Sequence, residues 1–287
     1  MKKEEGAAGW FVILRVMSGR DTSSPAEILA RYAGGFFPLY DLADRFYWER
    51  LSIRAVIPLT SEVTAHAKKM AKRDAPRFQI RYTTSLELII AALQNERIKR
   101  RSWVRTEVAT IYRTLHRAGL LQTVEAWDPE TGTLVGGLLG LVLPGVFVAE
   151  TMYGVAPDAS KVCLCRLVED AFAAGHKMID VQTPHHLDEN GLPRARHGTT
   201  PHPCVRLGEE VITHARFMRW MQAAMKESFT GTLTEWLLVS SEIARARTEE
   251  RAAGLAGIPR EHLKAAWPML RNNFSGAVAE QVDLLLQ

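Results

Sequence analysis

The sequence predicts a mixed α+β fold, and three observations predict it. Three strand signals follow one another at residues 121–127, 134–143 and 146–153, separated by a turn at 128–132 and by Pro144-Gly145. A helical pattern then opens at Asp158 or Ser160, runs to about Ala174 and is closed by Gly175. A short strand from Met178 to Gln182 comes next. A period-two meander, a 3.6-period segment and a further strand call for a sheet with helices packed on it. Periodicity alone goes no further than that class.

Upstream of this core, residues 22–33 read as a helix. Thr22, Ser23 or Ser24 can cap it, Pro25 suits its first turn, and Ile28, Leu29 and Tyr32 form an apolar face. Gly34-Gly35 ends it. Residues 36–48 are an irregular aromatic stretch, and 54–59 a short strand. Residues 107–117 have helical spacing through Val108, Ile111, Tyr112 and Leu115. Past Gln182 lies a loop rich in His, Pro and Gly, reaching about Arg206. Residues 209–287 are mostly helical in pattern, carry Trp220, Trp236 and Trp267, and break at Gly257-Ile258-Pro259. The organisation expected is an N-terminal domain over 1–62, a transfer domain over 63–208 and a helical C-terminal extension over 209–287.

With 287 residues, 47% hydrophobic and 24% charged, the chain can bury a sizeable core and is too apolar for a disordered protein. The net charge of +4 is unevenly spread: residues 66–105 hold eleven basic residues against three acids. With Phe78, Tyr82 and Trp103 among them, these charges fit a phosphate-backbone footprint; solvated helix faces are the alternative. The backbone-binding candidates are Lys68, Lys69, Lys72, Arg73, Lys99, Arg100 and Arg101. Cys163, Cys165 and Cys204 are too few and odd in number for a disulfide framework, which points to a reducing compartment. Cys163 and Cys165 read as small apolar residues. The start shows no secretory pattern and no apolar run reaches about 18 residues, so a cytoplasmic protein without a membrane span is expected.

Several motifs occur in a fixed order. Ser24-Pro25-Ala26-Glu27-Ile28-Leu29 precedes Gly35-Phe36-Phe37-Pro38, and Trp48 and Arg54-Ala55-Val56 follow. Ser102-Trp103-Val104 begins a helix that continues into Leu115-His116-Arg117-Ala118-Gly119. The most specific are Thr123-Val124-Glu125-Ala126-Trp127, Leu134-Val135-Gly136-Gly137-Leu138 and Glu150-Thr151-Met152-Tyr153. Asp158-Ala159-Ser160-Lys161-Val162 and Ile179-Asp180-Val181-Gln182 complete the series. Over roughly residues 17–220 the chain thereby resembles the leucyl/phenylalanyl-tRNA–protein transferases. The resemblance implies an acetyltransferase-like (GNAT-type) acyl-transfer fold with a small N-terminal α/β domain. It implies transfer of Leu or Phe from aminoacyl-tRNA to the N-terminal Arg or Lys of a protein, which creates a degradation signal. Aminoacyl-tRNA is then the co-substrate, a protein or peptide N-terminus the acceptor, and no cofactor is expected.

Aminolysis of an aminoacyl ester needs aligned reactants, a path for a proton and stabilisation of the tetrahedral oxyanion, and no nucleophilic side chain. Asp180 and Gln182 lie two apart on a strand and so face the same side. The resemblance implies that they relay the proton, with Gln182 assisting attack; the alternative is that Asp180 only caps a neighbouring backbone group. Glu150 ends an apolar strand, where it can bind an α-ammonium or pair with Lys161 or an arginine. The resemblance places Leu138, Met152, Leu164 and Leu167 at the pocket for the donor side chain, plain core being the alternative, and Met152 repacks readily around different groups. It places Trp103 against the 3′-terminal adenosine, with Tyr40 and Trp48 as further substrate contacts. Ser160 and Lys161 open a helix whose backbone N–H groups suit an anion or a developing oxyanion.

The chain also departs from the family pattern. Leu39 then Tyr40 stand where a Trp follows Phe-Pro, so an adenosine platform is missing or moved to Tyr40. The Trp-Trp-Ser-Pro-Asp-Pro-Arg stretch reads Trp48-Glu49-Arg50-Leu51-Ser52-Ile53-Arg54, without its prolines. Beyond Gln182, the residues His185, His186, His197, His202 and Cys204 match no standard zinc spacing, and no metal is expected. Two alternatives stay open. One is tRNA-dependent amide formation on a small-molecule or carrier-bound amine. The other is a non-catalytic tRNA- or degron-binding protein, against which the retained Asp180 and Gln182 argue. A CoA-dependent acetyltransferase is disfavoured, because no Gly-rich pyrophosphate loop follows Tyr153.

Overall fold

The computed structural model describes residues 14–17, 24–41, 43–95, 104–185, 201–249, 255, 257–274 and 277–287. The first helix, α1 (Pro25–Ala33), begins where the sequence places it. Ser24 accepts from the Glu27 backbone N–H while Glu27 accepts from the Ser24 N–H at 2.7 Å, a reciprocal cap that satisfies two orphan donors. The helix buries Ile28, Leu29 and Tyr32.

The aromatic stretch expected to be irregular forms strands instead. Strands β1 (Leu14–Met17), β2 (Phe37–Tyr40) and β3 (Phe46–Arg50) make a small antiparallel sheet in the order β1-β3-β2. Bulky rings suit a pleated, covered surface. Phe37, Phe46, Tyr47 and Trp48 are buried, and Trp48 meets Tyr32 edge-on at 5.5 Å between centroids.

The main sheet has seven strands. In chain order they are β4 (Ile53–Pro58), β5 (Gln79–Tyr82), β6 (Leu121–Trp127), β7 (Leu134–Leu143), β8 (Val146–Gly154), β9 (Met178–Gln182) and β10 (Glu210–Thr213). In space they run β10-β4-β9-β8-β7-β6-β5. The β6-β7-β8 meander is antiparallel, as its short turns require, and β9 returns parallel to β8 through helix α5 (Ala159–Ala173). Strand β4 comes from within residues 1–62 and β10 from within 209–287, so the sheet draws on all three expected segments. At four residues within a helical pattern, β10 is too short to show a period.

Helices cover both faces of β7. Gly136 and Gly137 point to opposite sides. A Cβ on Gly136 would lie 2.6 Å from the Ala159 Cβ of α5, and one on Gly137 3.3 Å from Ile89 of α3 (Leu86–Gln94). On the α5 side lies α2 (Ser61–Ala71), which buries Thr64, Ala67, Met70 and Ala71 and leaves Lys68 and Lys69 exposed. Helix α4 (Thr106–Arg117) precedes β6 and buries Tyr112. Buried Glu125, on β6, accepts from the backbone N–H groups of Thr84 and Ser85 and from Trp127 Nε1, each at 3.0 Å, and so anchors the start of α3. The C-terminal segment joins this core. After the single turn α6 (Pro203–Arg206) come α7 (His214–Ser228), α8 (Leu233–Glu249), α9 (Arg260–Leu270) and α10 (Ala277–Leu286). Buried Trp236 donates to the Val142 carbonyl at 3.3 Å, and Asn273 to the Gly119 carbonyl at 2.6 Å.

Candidate active site

The site forms where β4, β8 and β9 meet. Two β-bulges fall there. On β8, Ala149 pairs with Gly140 and Thr151 with Leu139, which leaves Glu150 as the extra residue. On β9, Asp180 pairs with Val56 and Gln182 with Ala55, which leaves Val181 as the extra one. A bulge re-aims the side chains beside it. The second bulge ends in Gln182 at φ 63, a left-handed conformation that costs a non-glycine residue of order 1–3 kcal/mol.

Asp180 is wholly buried and makes a two-pronged ion pair with Arg54, Nε to Oδ1 at 2.9 Å and Nη2 to Oδ2 at 2.7 Å. Arg54 is 1% exposed, with its guanidinium 4.7 Å from the centroid of Phe37 and 5.0 Å from that of Phe217. A charge so deep needs a paired partner and ring faces around it. Asp180 Oδ1 also accepts from the Gln182 backbone N–H at 2.9 Å. That bond holds Gln182 in its left-handed turn.

Gln182 Nε2 in turn donates to Glu150 Oε1 at 2.6 Å, and the Tyr112 hydroxyl donates to Glu150 Oε2 at 3.1 Å. The buried Tyr32 hydroxyl interacts with the same carboxylate electrostatically, without hydrogen-bond geometry. Burial dominates Glu150 and pushes its carboxyl up to about 7; the Tyr112 and Tyr32 hydroxyls and Arg54 pull it back down. The folded chain therefore holds this proton more tightly than the unfolded chain. The stability it contributes is full below the ordinary value of 4.5 and lost as pH rises through about 7.

Glu150 and Gln182 open onto a cavity of about 330 Å³. Leu138, Met152 and Leu164 line it, as do Phe37, Leu39, Ala149, Thr151, Val181 and Thr183. His185, His202 and Cys204 form its remaining wall. Of the residues that the sequence singles out, Glu150, Gln182, Leu138, Met152 and Leu164 thus share one cavity. Asp180 sits behind Gln182. Leu167 is buried in the core, and Trp48 is 1% exposed among Tyr32 and Phe46, with the Arg31 guanidinium over its ring. Tyr40 bonds Glu107 through its hydroxyl, and Leu39 beside it reaches the cavity. Lys161 bonds Asp74 at 2.5 Å and Asp158 at 2.9 Å, and Ser160 lies against Gly154 at the mouth of α5. Neither lines the cavity.

Lys68, Lys69 and Lys72 line a second cavity of about 520 Å³ between α2 and α5, with Arg166 and Glu169. Arg73, exposed, pairs with Asp74 at 3.1 Å. Trp103, Lys99, Arg100 and Arg101 lie outside the described residues, as do His186 and His197. Sequence reasoning missed the roles of Arg54, Tyr112 and Tyr32. Arg54 alone carried a signal, an arginine inside the otherwise apolar strand Ile53–Pro58. Among the described residues no helix is long and apolar enough to cross a membrane.

A glutamine whose side-chain amide bonds one buried carboxylate, whose backbone N–H bonds another, and which lines an apolar cavity can align an amine against an acyl group without a covalent intermediate. Known proteins fit that chemistry. A family model described as leucyl/phenylalanyl-tRNA protein transferase matches residues 56–197. A leucyl/phenylalanyl-tRNA–protein transferase from Herpetosiphon aurantiacus is 37% identical over 166 residues, 56% of this chain and 83% of that protein. Another, from Rubrobacter xylanophilus, is 32% identical over 207 residues, 71% of this chain and 95% of that protein. The solved structure of L-PGS from Bacillus licheniformis superposes with a TM-score of 0.33 at 12% identity, over 61% of this chain and 54% of that one, too low a score to bear on fold or function. The protein is an aminoacyltransferase. It belongs to the leucyl/phenylalanyl-tRNA–protein transferase family.

Proposed function

We propose that the chain moves a Leu- or Phe-like aminoacyl group from aminoacyl-tRNA to the N-terminal amine of a protein that begins with Arg or Lys, in the cytoplasm and without a cofactor in the transfer step. The observation that carries this reading is the chain Arg54–Asp180–Gln182–Glu150, which ends in a cavity with apolar walls. Because Nε2 of Gln182 is committed to Glu150, its Oε1 is the acceptor that can hold the attacking amine. Glu150 as an anion attracts an α-ammonium, and Leu138, Met152 and Leu164 receive the donor side chain. Asp180 acts by fixing Gln182, since it lies behind the cavity wall. The order meander, crossover helix and parallel strand supports an acetyltransferase-like reading of the fold.

The deciding experiment supplies charged tRNA pools and a mixture of peptides with Arg, Lys and other N-termini, and follows mass. A leucine or phenylalanine adduct confined to Arg and Lys peptides is expected. Aminoacyl-tRNA consumed without a peptide adduct would move the acceptor to a small amine, and tRNA bound but never consumed would leave a binding protein.

Two further results are expected. Turnover should rise with pH through about 7 as Glu150 ionises, and Glu150→Gln should remove that component of the profile. A profile shared by both proteins would show that only the acceptor amine titrates. Affinity for tRNA should fall steeply with salt, and changing Lys68, Lys69 and Lys72 together to Glu should lower the salt slope by roughly one for each phosphate that the protein then leaves unneutralised. An unchanged slope places the footprint elsewhere.

A further inference from the structure

One wall of the cavity is unlike the rest. His185, just beyond β9, meets His202 and Cys204 from the start of α6. One donor atom from each of the three lies within 4.8 Å of the others. The two imidazoles stack at 4.0 Å between centroids and 9° between planes. His185 is fixed from behind. Glu209, whose side chain is wholly buried, accepts from the His185 backbone N–H at 2.9 Å and lies 2.6 Å from its Nδ1. A carboxylate on Nδ1 makes that nitrogen the donor and turns the Nε2 lone pair outward, which is the outer-shell arrangement around metal-binding histidines. Ester aminolysis at Gln182 uses none of these three side chains.

We propose that His185, His202 and Cys204 bind one divalent cation of the zinc class on the cavity wall, with its remaining coordination position open to the cavity. Two imidazoles and a thiolate suit zinc, whereas magnesium and calcium take oxygen ligands. Bond lengths near 2.0 Å to nitrogen and 2.3 Å to sulfur put tetrahedral ligand atoms about 3.3–3.6 Å apart, so the three donor atoms, now within 4.8 Å of one another, draw closer when the ion binds. The Cys204 thiol gives its proton to solvent as the sulfur–metal bond forms. Three protein ligands leave the fourth position for water or for a donor atom of the substrate. The two ligand segments flank residues 186–200, so the sequence spacing resembles no standard zinc motif.

The test uses the full chain, stripped with a chelator and titrated with zinc against a chromophoric competitor and separately with cobalt. Stoichiometric binding is expected, with a thiolate-to-cobalt charge-transfer band. Cys204→Ser should abolish that band, and His202→Ala should weaken binding sharply. Glu209→Gln keeps all three ligands and should weaken zinc by ~10–100-fold. A wild-type chain that binds neither metal overturns the site. So does a Cys204→Ser protein with band and affinity intact. Circular dichroism identifies a variant that fails to fold, and the wild-type cobalt spectrum decides the matter without it. Metal affinity is read apart from aminoacyl transfer, so failure of this site and failure of the transfer reading are separate results.

Discussion

Replacing Asp180 with alanine is expected to cost the protein about 3–5 kcal/mol of stability, because it strands the Arg54 guanidinium without its counter-charge. Both groups are buried, at 0% and 1% exposure, so water cannot substitute for the missing carboxylate. The Nη1 nitrogen of Arg54 already has no partner among the described residues, which leaves Asp180 to satisfy the rest of the group. A loss of that size is a large share of the ~5–15 kcal/mol that holds a typical domain folded. Denaturant midpoints at unchanged slope would measure it. Arg54→Ala should be costly for the mirror reason, a bare buried carboxylate. Removing both charges together, as Arg54→Met with Asp180→Leu, should cost far less than the two single changes added. A loss below ~1 kcal/mol in Asp180→Ala would mean that water reaches the pair and screens it. The consequence for function is that an inactive Asp180→Ala protein says little about proton transfer. Asp180→Asn keeps an acceptor for the Gln182 N–H but also leaves the Arg54 charge uncompensated, so its turnover is informative only on protein shown to be folded.

The site is legible in the sequence only in part, and the division follows physical range. The meander, α5 and β9 appear where local period places them, because a strand or helix of these lengths writes its burial into consecutive residues. The α1 cap is likewise legible from Ser24, Pro25 and Glu27. The aromatic stretch hides its strands because β2 and β3 are four and five residues long and neither alternates buried with exposed residues, which masks the period. By spacing alone, Asp180 and Gln182 share a strand face at equal standing. The bulge at Val181 and the positive φ of Gln182 separate them, one behind the wall and one in it, and no residue type at those positions signals a bulge. Arg54 and Tyr112 lie 126 and 38 residues from the groups that they bond, so only the fold reveals the pairing. His185 and Cys204 are likewise joined through space rather than through motif spacing.

Gln182→Ala is expected to lower turnover by ~10²–10³-fold while leaving tRNA affinity in place, the size of loss seen when one aligned polar group is removed from an acyl-transfer site. Among the described residues, this amide alone links Glu150 to the backbone turn held by Asp180, and alanine deletes it without touching the Arg54 pair. Deletion also leaves Glu150 with one hydrogen bond fewer in a buried site. A glycine at the same position separates chemistry from stability. At φ 63 the backbone is strained for any residue with a Cβ, and glycine adopts it freely. Gln182→Gly should therefore be more stable than Gln182→Ala by about 1 kcal/mol and equally slow. Parallel thermal unfolding and single-turnover transfer assays on the two variants would show it. If glycine restored turnover, the backbone turn rather than the amide would be the working part. If alanine transferred at the wild-type rate, Gln182 would be a wall residue and the acceptor amine would be held elsewhere. The strain itself argues for the amide. A left-handed glutamine, held down by a buried carboxylate and lining a cavity, is the kind of strained position that clusters at active sites.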